Sequence, residues 1–487
     1  MKLTLEAINQ AIAVLFFVCY AYQFVYIPVA LLRRRKRLPA AAPHRFAVLI
    51  AARNEETVIG DLLDSLHAQD YDMSLITVFV IADNCTDRTA AIASEKGAVV
   101  YTRQNKQAVG KGYALEALLA HIKSDYPDGY DAYLVFDADN LLAPDFLTRM
   151  NESFSAGNEI ITCYRNSKNY GSNWISAGYA LWFLRESRFL NGAREALGSS
   201  CAVSGTGFLF SQKILNECGG WPFHLLVEDI EVAIHNILSG HRIAICQDAV
   251  IYDEQPTDFA QSCRQRLRWS RGYLQVFGRY GSGLLRGAAR GNWSCFDMSM
   301  AIMPAIILTS ISILVSVALS VLGILSGMGL LPALISLGKA LLSMYLMLFA
   351  IGLITTITEW KKIDASALRK VLSVFTFPLF MFTYIPISFA ALFIKVEWKP
   401  IRQHYRKGSE QGLNFRIFAL VPRGKNAYDR GRTKTRGRGR CITLSCAMMK
   451  EISFRHWKFT SPRRATMCCV RKTAGRPWPW PTARMPT

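Results

Sequence analysis

Three observations predict an α/β domain with a mostly parallel, helix-covered sheet, set between apolar membrane helices. Short uninterrupted apolar runs alternate with stretches of helical spacing between residues 44 and 276. Acidic residues follow directly on two of those runs, where open α/β sheets bind their ligands. Long stretches nearly free of charge lie on both sides of the domain.

The elements follow in order. Ala11–Leu32 carries no charge over a length that spans a bilayer, and Arg33, Arg34, Arg35, Lys36 and Arg37 come next. A signal peptide would carry its charge first and end at small residues. Residues 1–37 therefore read as an uncleaved anchor with a basic flank, N-terminus outside and the following chain cytoplasmic. Phe46–Ala52 is a buried-strand run, and Val58, Leu62, Leu63 and Leu66 then recur at helical spacing. Ile76–Ile81 is a second strand, after which Thr86 is placed to cap a helix. Val99–Tyr101 reads as a short strand, Tyr113–Ile122 as a helix and Ala132–Phe136 as another strand. A helix is expected from about Asp229 to Leu238 and another over Phe259–Phe277.

Residues 277–297 mix Arg279, Arg286 and Arg290 with apolar and aromatic side chains. They read as an interfacial amphipathic segment or an ordinary linker. Met298–Thr358 holds one charge, Lys339, and Gly323–Pro332 divides it into two expected spans. Val371–Ile394, with Pro378 and Pro386, is a third, making 298–394 a block of membrane helices. Three such spans would leave Lys395, Lys399 and Arg402 outside, against the preference of positive charge for the cytoplasm. A re-entrant hairpin at the two prolines is the alternative. Residues 395–421 read as juxtamembrane.

The chain has 487 residues, 51% hydrophobic and 19% charged, which excludes a mainly disordered protein. Twelve cysteines are too dilute for a disulfide scaffold. A net charge of +21 would suggest nucleic acid, but residues 422–487 hold 17 Lys and Arg against only Asp429 and Glu451. That tail shows no helix or strand period. It reads as a disordered basic arm or as out-of-frame translation, and no nucleic-acid partner is expected for the rest.

The chemistry sits in short acidic and basic motifs. Asp83 follows the second strand in Asp83-Asn84-Cys85-Thr86-Asp87. Asp137-Ala138-Asp139-Asn140 follows the strand AYLVF. If the backbone stays extended there, both carboxylates point to one face and suit Mg²⁺ or Mn²⁺. Glu228-Asp229 opens a helix, where a carboxylate serves as a cap or, if buried, as a general base. Gln265, Arg268 and Trp269 share one helix face, fit for a phosphate and a sugar ring.

Together the motifs resemble family 2 glycosyltransferases of the cellulose synthase and poly-N-acetylglucosamine synthase type. The resemblance covers roughly residues 1–405. It rests on the order RNEE (53–56), DNCTD (83–87), KGYAL (111–115), DADN (137–140), SGTGF (204–208), VED (227–229) and QRLRW (265–269). It implies an A-type glycosyltransferase fold over 44–276 in the cytoplasm of a multi-pass cell-membrane protein. It further implies a UDP-sugar donor and inversion at the anomeric carbon. Asp83 would contact the nucleotide, with Asn54 and Glu55 beside it and Lys111 near the diphosphate. Asp137 and Asp139 would handle nucleotide and metal, and Asp229, with Glu228, would supply the base. Gln265, Arg268 and Trp269 would bracket the diphosphate and acceptor sugar, and Gly205 and Thr206 would line the acceptor site.

Val227 stands where the family usually has threonine, and the gating element of cellulose synthase is not recognisable. The acceptor is then a growing β-linked glycan or, alternatively, a lipid that takes one sugar, as in ceramide glucosyltransferase-like enzymes. The oligomeric state is not set by the sequence.

Overall fold

The computed structural model describes residues 17–33, 41–303 and 330–396, with isolated positions between them. The cluster 34–37, most of the first expected C-terminal span and everything beyond 396, including the juxtamembrane segment and the basic tail, lie outside the described residues.

In chain order the described elements are α1 (Tyr22–Leu32), β1 (Phe46–Ala52), α2 (Ile59–His67), β2 (Ile76–Asp83), α3 (Thr89–Glu95), β3 (Val99–Arg103) and α4 (Lys111–Asp125). Then come β4 (Ala132–Asp137), β5 (Leu141–Leu142), α5 (Phe146–Ser155), β6 (Ile160–Ser167) and α6 (Trp174–Arg185), which passes through one π-helical turn, Glu186–Leu190, into α7 (Asn191–Ala196). β7 (Phe208–Ser211), α8 (Gln212–Glu217), α9 (Glu228–Leu238), β8 (Ile243–Asp253), α10 (Phe259–Ala289) and α11 (Trp293–Ile302) complete the domain. α12 (Leu330–Thr358), α13 (Ala367–Phe382) and α14 (Tyr384–Ala391) follow.

The strands form one eight-stranded sheet in the order β3-β2-β1-β4-β7-β6-β8-β5. The first four are parallel neighbours, as the alternation of apolar runs predicts. The sheet as a whole is mixed, because β7 runs antiparallel to both β4 and β6, and β5 antiparallel to β8. One inversion on each side of β7 leaves β6 and β8 pointing the same way as β4. The carboxyl ends of β1, β2, β3, β4, β6 and β8 therefore share one edge, and β7 starts at that edge.

β1 and β4 are almost wholly buried because helices cover both faces. Ala47, Leu49, Val135 and Phe208 face one core with α4 and α9, whereas Val48, Ile50, Leu134 and Phe136 face the other with α2 and α5. Each fully buried Leu, Ile or Phe side chain contributes roughly 1.5–3 kcal/mol.

Several expectations are corrected. Thr86 does not cap a helix: its amide and hydroxyl bond Asn54 Oδ1, and α3 starts at Thr89, whose amide bonds Asp87 Oδ1 at 3.0 Å. Residues 277–296 are neither linker nor separate segment. The helix expected to end at Phe277 runs on to Ala289, and a short turn leads into α11. Met298 does not begin a span, since Cys295, Met298 and Ile302 are buried in the main domain core.

Two helices among the described residues, Leu341–Thr358 and Ala367–Ala391, are long and apolar enough to cross a membrane, and both follow the domain. On the N-terminal side the described apolar helix is the shorter Phe17–Leu32. It packs Tyr26 and Ala30 against Phe189, Leu190 and Ala193. Two of its tyrosines reach the fully buried Asp297 of α11, Tyr22 at 2.8 Å and Tyr26 at 2.7 Å. Arg194 of α7 closes the same carboxylate, Nε at 2.7 Å and Nη2 at 2.9 Å.

Candidate active site

The shared sheet edge explains why distant motifs meet. Asp83, Asp137 and Asp253 end β2, β4 and β8, and Arg165 lies near the end of β6. The turn Ser204–Gly207 leads into β7 and so enters the same edge. Gly207 holds φ +68°, and a Cβ there would sit 2.4 Å from Cys163 Sγ. Its amide donates to Val135 O at 2.8 Å, which ties the turn to β4. A Gly207→Ala change combines left-handed strain with overpacking. It is expected to cost about 2–6 kcal/mol by the sum of these two effects, read as a lower melting temperature; an unchanged melting temperature would refute the account.

Lys111, the first residue of α4, is the hub. Its Nζ donates to Asp137 Oδ1 at 2.5 Å and to Gly205 O at 2.7 Å, and lies 3.9 Å from Glu228 Oε1. Burial alone would lower its pKa, but the Asp137 and Glu228 carboxylates outweigh that and raise it. Lys111 is therefore a fixed cation between the strand end that carries Asp137 and the helix start that carries the Glu228-Asp229 pair.

α9 opens at Glu228, and Val227 supplies no side-chain cap. A Cβ on Gly205 would lie 3.9 Å from Asp229 Oδ2, so this carboxylate faces the 204–207 turn. Burial pushes Asp229 upward, against the backbone hydrogen bond of Ile230 and the charges of Lys111 and Arg268. Burial, with the Asp229 charge adding to it, pushes Glu228 up to about 7. A carboxyl with a raised pKa is protonated below that value and unable to take a proton. If this pair acts as the base, kcat/KM rises with pH and falls on the acidic side at a higher pH than an ordinary carboxylate would give, because burial raises Asp229. A pH–rate profile flat down to pH ~5, where ordinary carboxylates are still ionised, would remove the pair from that role.

The Asp137-x-Asp139 turn departs from expectation. β4 ends at Asp137, and the Asn140 amide turns back to Asp137 O at 3.2 Å, so the backbone is not extended and period-two reasoning fails. Asp137 turns to Lys111, while Asp139 is buried. Burial, then the Asp253 carboxylate, push Asp139 well above the usual carboxylate range, with Asp137 and Glu55 adding to the effect. Burial and the Asp137 charge likewise push Glu55 up to about 8. This crowding of hard oxygen donors fits a divalent cation, whose charge would relieve it. Among the described residues no three or more His, Cys, Asp or Glu side chains group as a complete metal cage, so phosphate oxygens would have to complete the coordination.

Thr206 does not line an open acceptor site. It is 2% exposed, its hydroxyl bonds Asn140 Oδ1, and the Asp137 amide donates to that hydroxyl at 2.9 Å. It positions the acidic turn. Gly205 does lie at the centre, through its carbonyl on Lys111 and its approach to Asp229.

At the end of β2, Asp83 is buried and paired with Arg103 Nη1 at 2.5 Å, and it accepts from Asn84 Nδ2 at 3.0 Å. Asn54 and Asn84 both hold positive φ, 57° and 52°. Asn54 accepts from the Thr86 amide at 2.8 Å, which joins the 53–56 loop to the loop after Asp83.

On α10, Arg268 donates to Leu226 O at 2.9 Å, and its charge lowers both Glu228 and Asp229. Trp269 turns away to meet Tyr179 and Phe183 edge-on, with centroids 5.7 Å and 6.1 Å apart. The Gln265 Oε1 is buried with no hydrogen-bond partner among the described residues. The motif thus divides between the acid pair and an aromatic cluster that also takes in Phe380 of α13.

Asp253 and Arg165 were missed from sequence. Arg165 Nε donates to Asp253 Oδ2 at 2.8 Å, its Nη1 donates to Ser204 O at 3.1 Å, and its guanidinium stacks 3.6 Å above the Phe183 ring. Asp253 also accepts from Asn140 Nδ2 at 3.2 Å and from Gln255 Nε2 at 2.8 Å. The signal that marks Asp83 and Asp137, an acid closing an apolar run, is equally present in AVIYD.

Residues 43–272 match a family model described as glycosyltransferase like family 2, and over those residues the chain is similar to that family. Among solved structures, the mannosyltransferase PcManGT from Pyrobaculum calidifontis, determined with GDP-Man and Mn²⁺, aligns with a TM-score of 0.54 at 18% identity. The alignment covers 80% of this chain and 99% of that one, and it shows the fold. Among curated relatives, the beta-monoglucosyldiacylglycerol synthase of Nostoc sp. is 27% identical over 274 residues, 53% of this chain and 56% of the relative. The probable glucomannan 4-beta-mannosyltransferase 14 of Arabidopsis thaliana is 28% identical over 192 residues, 38% of this chain and 35% of the relative. The chain thus spans about half the length of the first of these relatives and about a third of the second. Both are similar to this chain at the level of a glycosyltransferase domain, and they differ from each other in acceptor. They do not single out the cellulose or poly-N-acetylglucosamine synthases.

Proposed function

We propose that the chain is a membrane-bound, inverting glycosyltransferase that moves a sugar from a UDP-sugar to a glycan or lipid acceptor. One observation carries this reading: Lys111 ties Asp137 to Gly205 of the 204–207 turn and lies 3.9 Å from Glu228, the neighbour of Asp229, so in this reading the donor's diphosphate and the base meet around a single side chain. In this reading Asn54, Glu55 and Asp83 hold the nucleotide, and Lys111 and Arg268 face the departing diphosphate. Bound through Asp137 and Asp139, Mg²⁺ or Mn²⁺ would supply further neutralisation of that leaving group. Asp229 takes the proton of the acceptor hydroxyl as its oxygen bonds the anomeric carbon. The bond to the diphosphate breaks on the opposite face, so the configuration inverts.

A single-sugar lipid acceptor is the second reading. It is favoured by the aromatic cluster that joins Trp269 to the apolar helix α13 and by the diacylglycerol named for the Nostoc relative. Purified membranes incubated with a panel of UDP-sugars should release UDP with one of them. A polymer separates from a monoglycosylated lipid by size and extraction. No UDP release with any sugar and either acceptor class would refute the proposal.

A further inference from the structure

We propose that Arg165, paired with Asp253, is a positioning residue for sugar transfer: it fixes the 204–207 turn in front of Asp229 and backs the aromatic wall around Trp269. The proposal rests on the glycosyltransferase reading above and adds to it two residues that lie outside every sequence motif.

The pair exists because of an irregularity in β8. Cys163 of β6 stands beside Cys246 of β8, yet Tyr164 stands beside Val250, so β8 inserts Gln247–Ala249 at that point. In unbroken register Arg165 would stand beside Asp248, which is exposed. The insertion puts Ile251 beside Arg165 instead, and Asp253 beside Ser167. Asp253 then lies two residues past Ile251 on the same side of the strand, within reach of a long guanidinium side chain. Extra residues of this kind re-aim side chains, and they concentrate next to active sites.

Asp253 is 3% exposed and fully engaged. Its Oδ1 accepts from Asn140 Nδ2, and its Oδ2 accepts from Gln255 Nε2 and from Nε and Nη2 of Arg165. A pair that served only the fold would need no more than this. Arg165 has further contacts, and all of them lead toward the base. Its Nη1 donates to Ser204 O at 3.1 Å. A Cβ on Gly205 would lie 3.6 Å from that nitrogen and 3.9 Å from Asp229 Oδ2. The next carbonyl of the turn, Gly205 O, is taken by Lys111 at 2.7 Å. Two cations thus hold consecutive carbonyls, Lys111 tied to Asp137 and Arg165 tied to Asp253.

The contacts close on themselves. Arg165 binds Asp253, Asp253 binds Asn140, Asn140 binds the Thr206 hydroxyl, and the turn returns to Arg165 through Ser204. The Ser204 hydroxyl is held as well, donating to Glu186 Oε1 at 2.6 Å. A turn fixed at this many points cannot shift in front of Asp229 unless one of them gives way. The remaining surface of the guanidinium covers Phe183, 3.6 Å from its centroid, and Phe183 meets Trp269 edge-on. One side chain therefore sets both the turn that faces the base and the wall behind the indole expected to meet the acceptor. Among the described residues no hydrogen bond joins Arg165 or Asp253 to Asn54, Glu55 or Asp83, so their effect falls on the acceptor side. Lysine cannot replace this arginine, because a single ammonium cannot bond Asp253, reach Ser204 O and cover a ring at once.

The test uses the full chain in purified membranes with UDP-glucose, UDP-galactose and UDP-N-acetylglucosamine, each labelled in the sugar, and follows the one that wild type turns over. Label in lipid extract or polymer reports transfer, and total UDP reports donor cleavage. Arg165→Lys keeps the charge and should lower transfer about 10²-fold, the cost of a small misplacement of reacting groups. Calorimetric UDP affinity should stay within a few-fold of wild type. UDP released per sugar transferred should rise, because water then attacks the anomeric carbon in place of a misaligned acceptor hydroxyl and gives its proton to Asp229. Asp253→Asn keeps the shape of the side chain, removes only its charge, and should show the same split with a smaller loss. Wild-type transfer by either variant would overturn the proposal, as would a constant ratio of UDP to transferred sugar. UDP affinity falling in step with transfer would overturn it too, since the pair would then serve the donor site or the fold. A wild-type chain that releases no UDP from any of the three would overturn this proposal together with the reading it rests on. An active wild type matched by its variants would overturn this proposal alone.

Discussion

Asp229→Asn is expected to lower kcat by about 10²–10⁴-fold, the usual contribution of a positioned general base, while nucleotide affinity stays within a few-fold of wild type. Asparagine keeps the size of the side chain and an oxygen facing Gly205, and loses only the capacity to take a proton. Glu228 is a poor substitute because its carboxylate leans on Lys111, 3.9 Å away. Glu228→Gln should therefore cost less and act mainly through Lys111. Single-turnover transfer from a labelled UDP-sugar, beside calorimetric UDP binding, separates the outcomes. A variant turning over at the wild-type rate would show that Asp229 is not the base, and loss of UDP binding would show that it holds the nucleotide site together.

The second large effect is on stability. Asp297→Ala strands Arg194, 2% exposed, without its carboxylate and leaves the Tyr22 and Tyr26 hydroxyls without their acceptor. Removing one partner of a buried ion pair costs ~3–5 kcal/mol. The expected result is a markedly lower melting temperature in detergent and release of α1 from protease protection. An Asp297→Leu/Arg194→Leu pair should recover part of the loss, because no buried charge then remains. An unchanged melting temperature of Asp297→Ala would show that the contact is not stabilising.

The legible part of the fold was the part dictated locally. β1, β2, β3 and β4 appear where unbroken apolar runs place them, within two residues at their ends. β7 was not foreseen, and its antiparallel insertion turns a mostly parallel sheet into a mixed one; four residues of strand leave little periodic signal. The centre of the site was legible as residue types closing strands or opening helices. Lys111, Asp137, Gly205, Glu228, Asp229 and Arg268 do converge. Thr206 misled because a hydroxyl beside two glycines looks available, and only tertiary contact shows it engaged by Asn140. The extended Asp-x-Asp failed because Asn140 bends the backbone back to Asp137. Residues 277–296, read as an interfacial segment or a linker, mostly continue one long helix, whose glycines and arginines hide its continuity in the sequence.

The sheet order has a further consequence, for solubility. An open sheet exposes two edges that invite pairing with neighbouring chains. Here one edge is β3, five residues ending in Arg103, and the other is β5, only two residues long. Neither offers a long, flat ladder to a passing strand. Such blunted margins protect against edge-to-edge aggregation when copies of the chain meet.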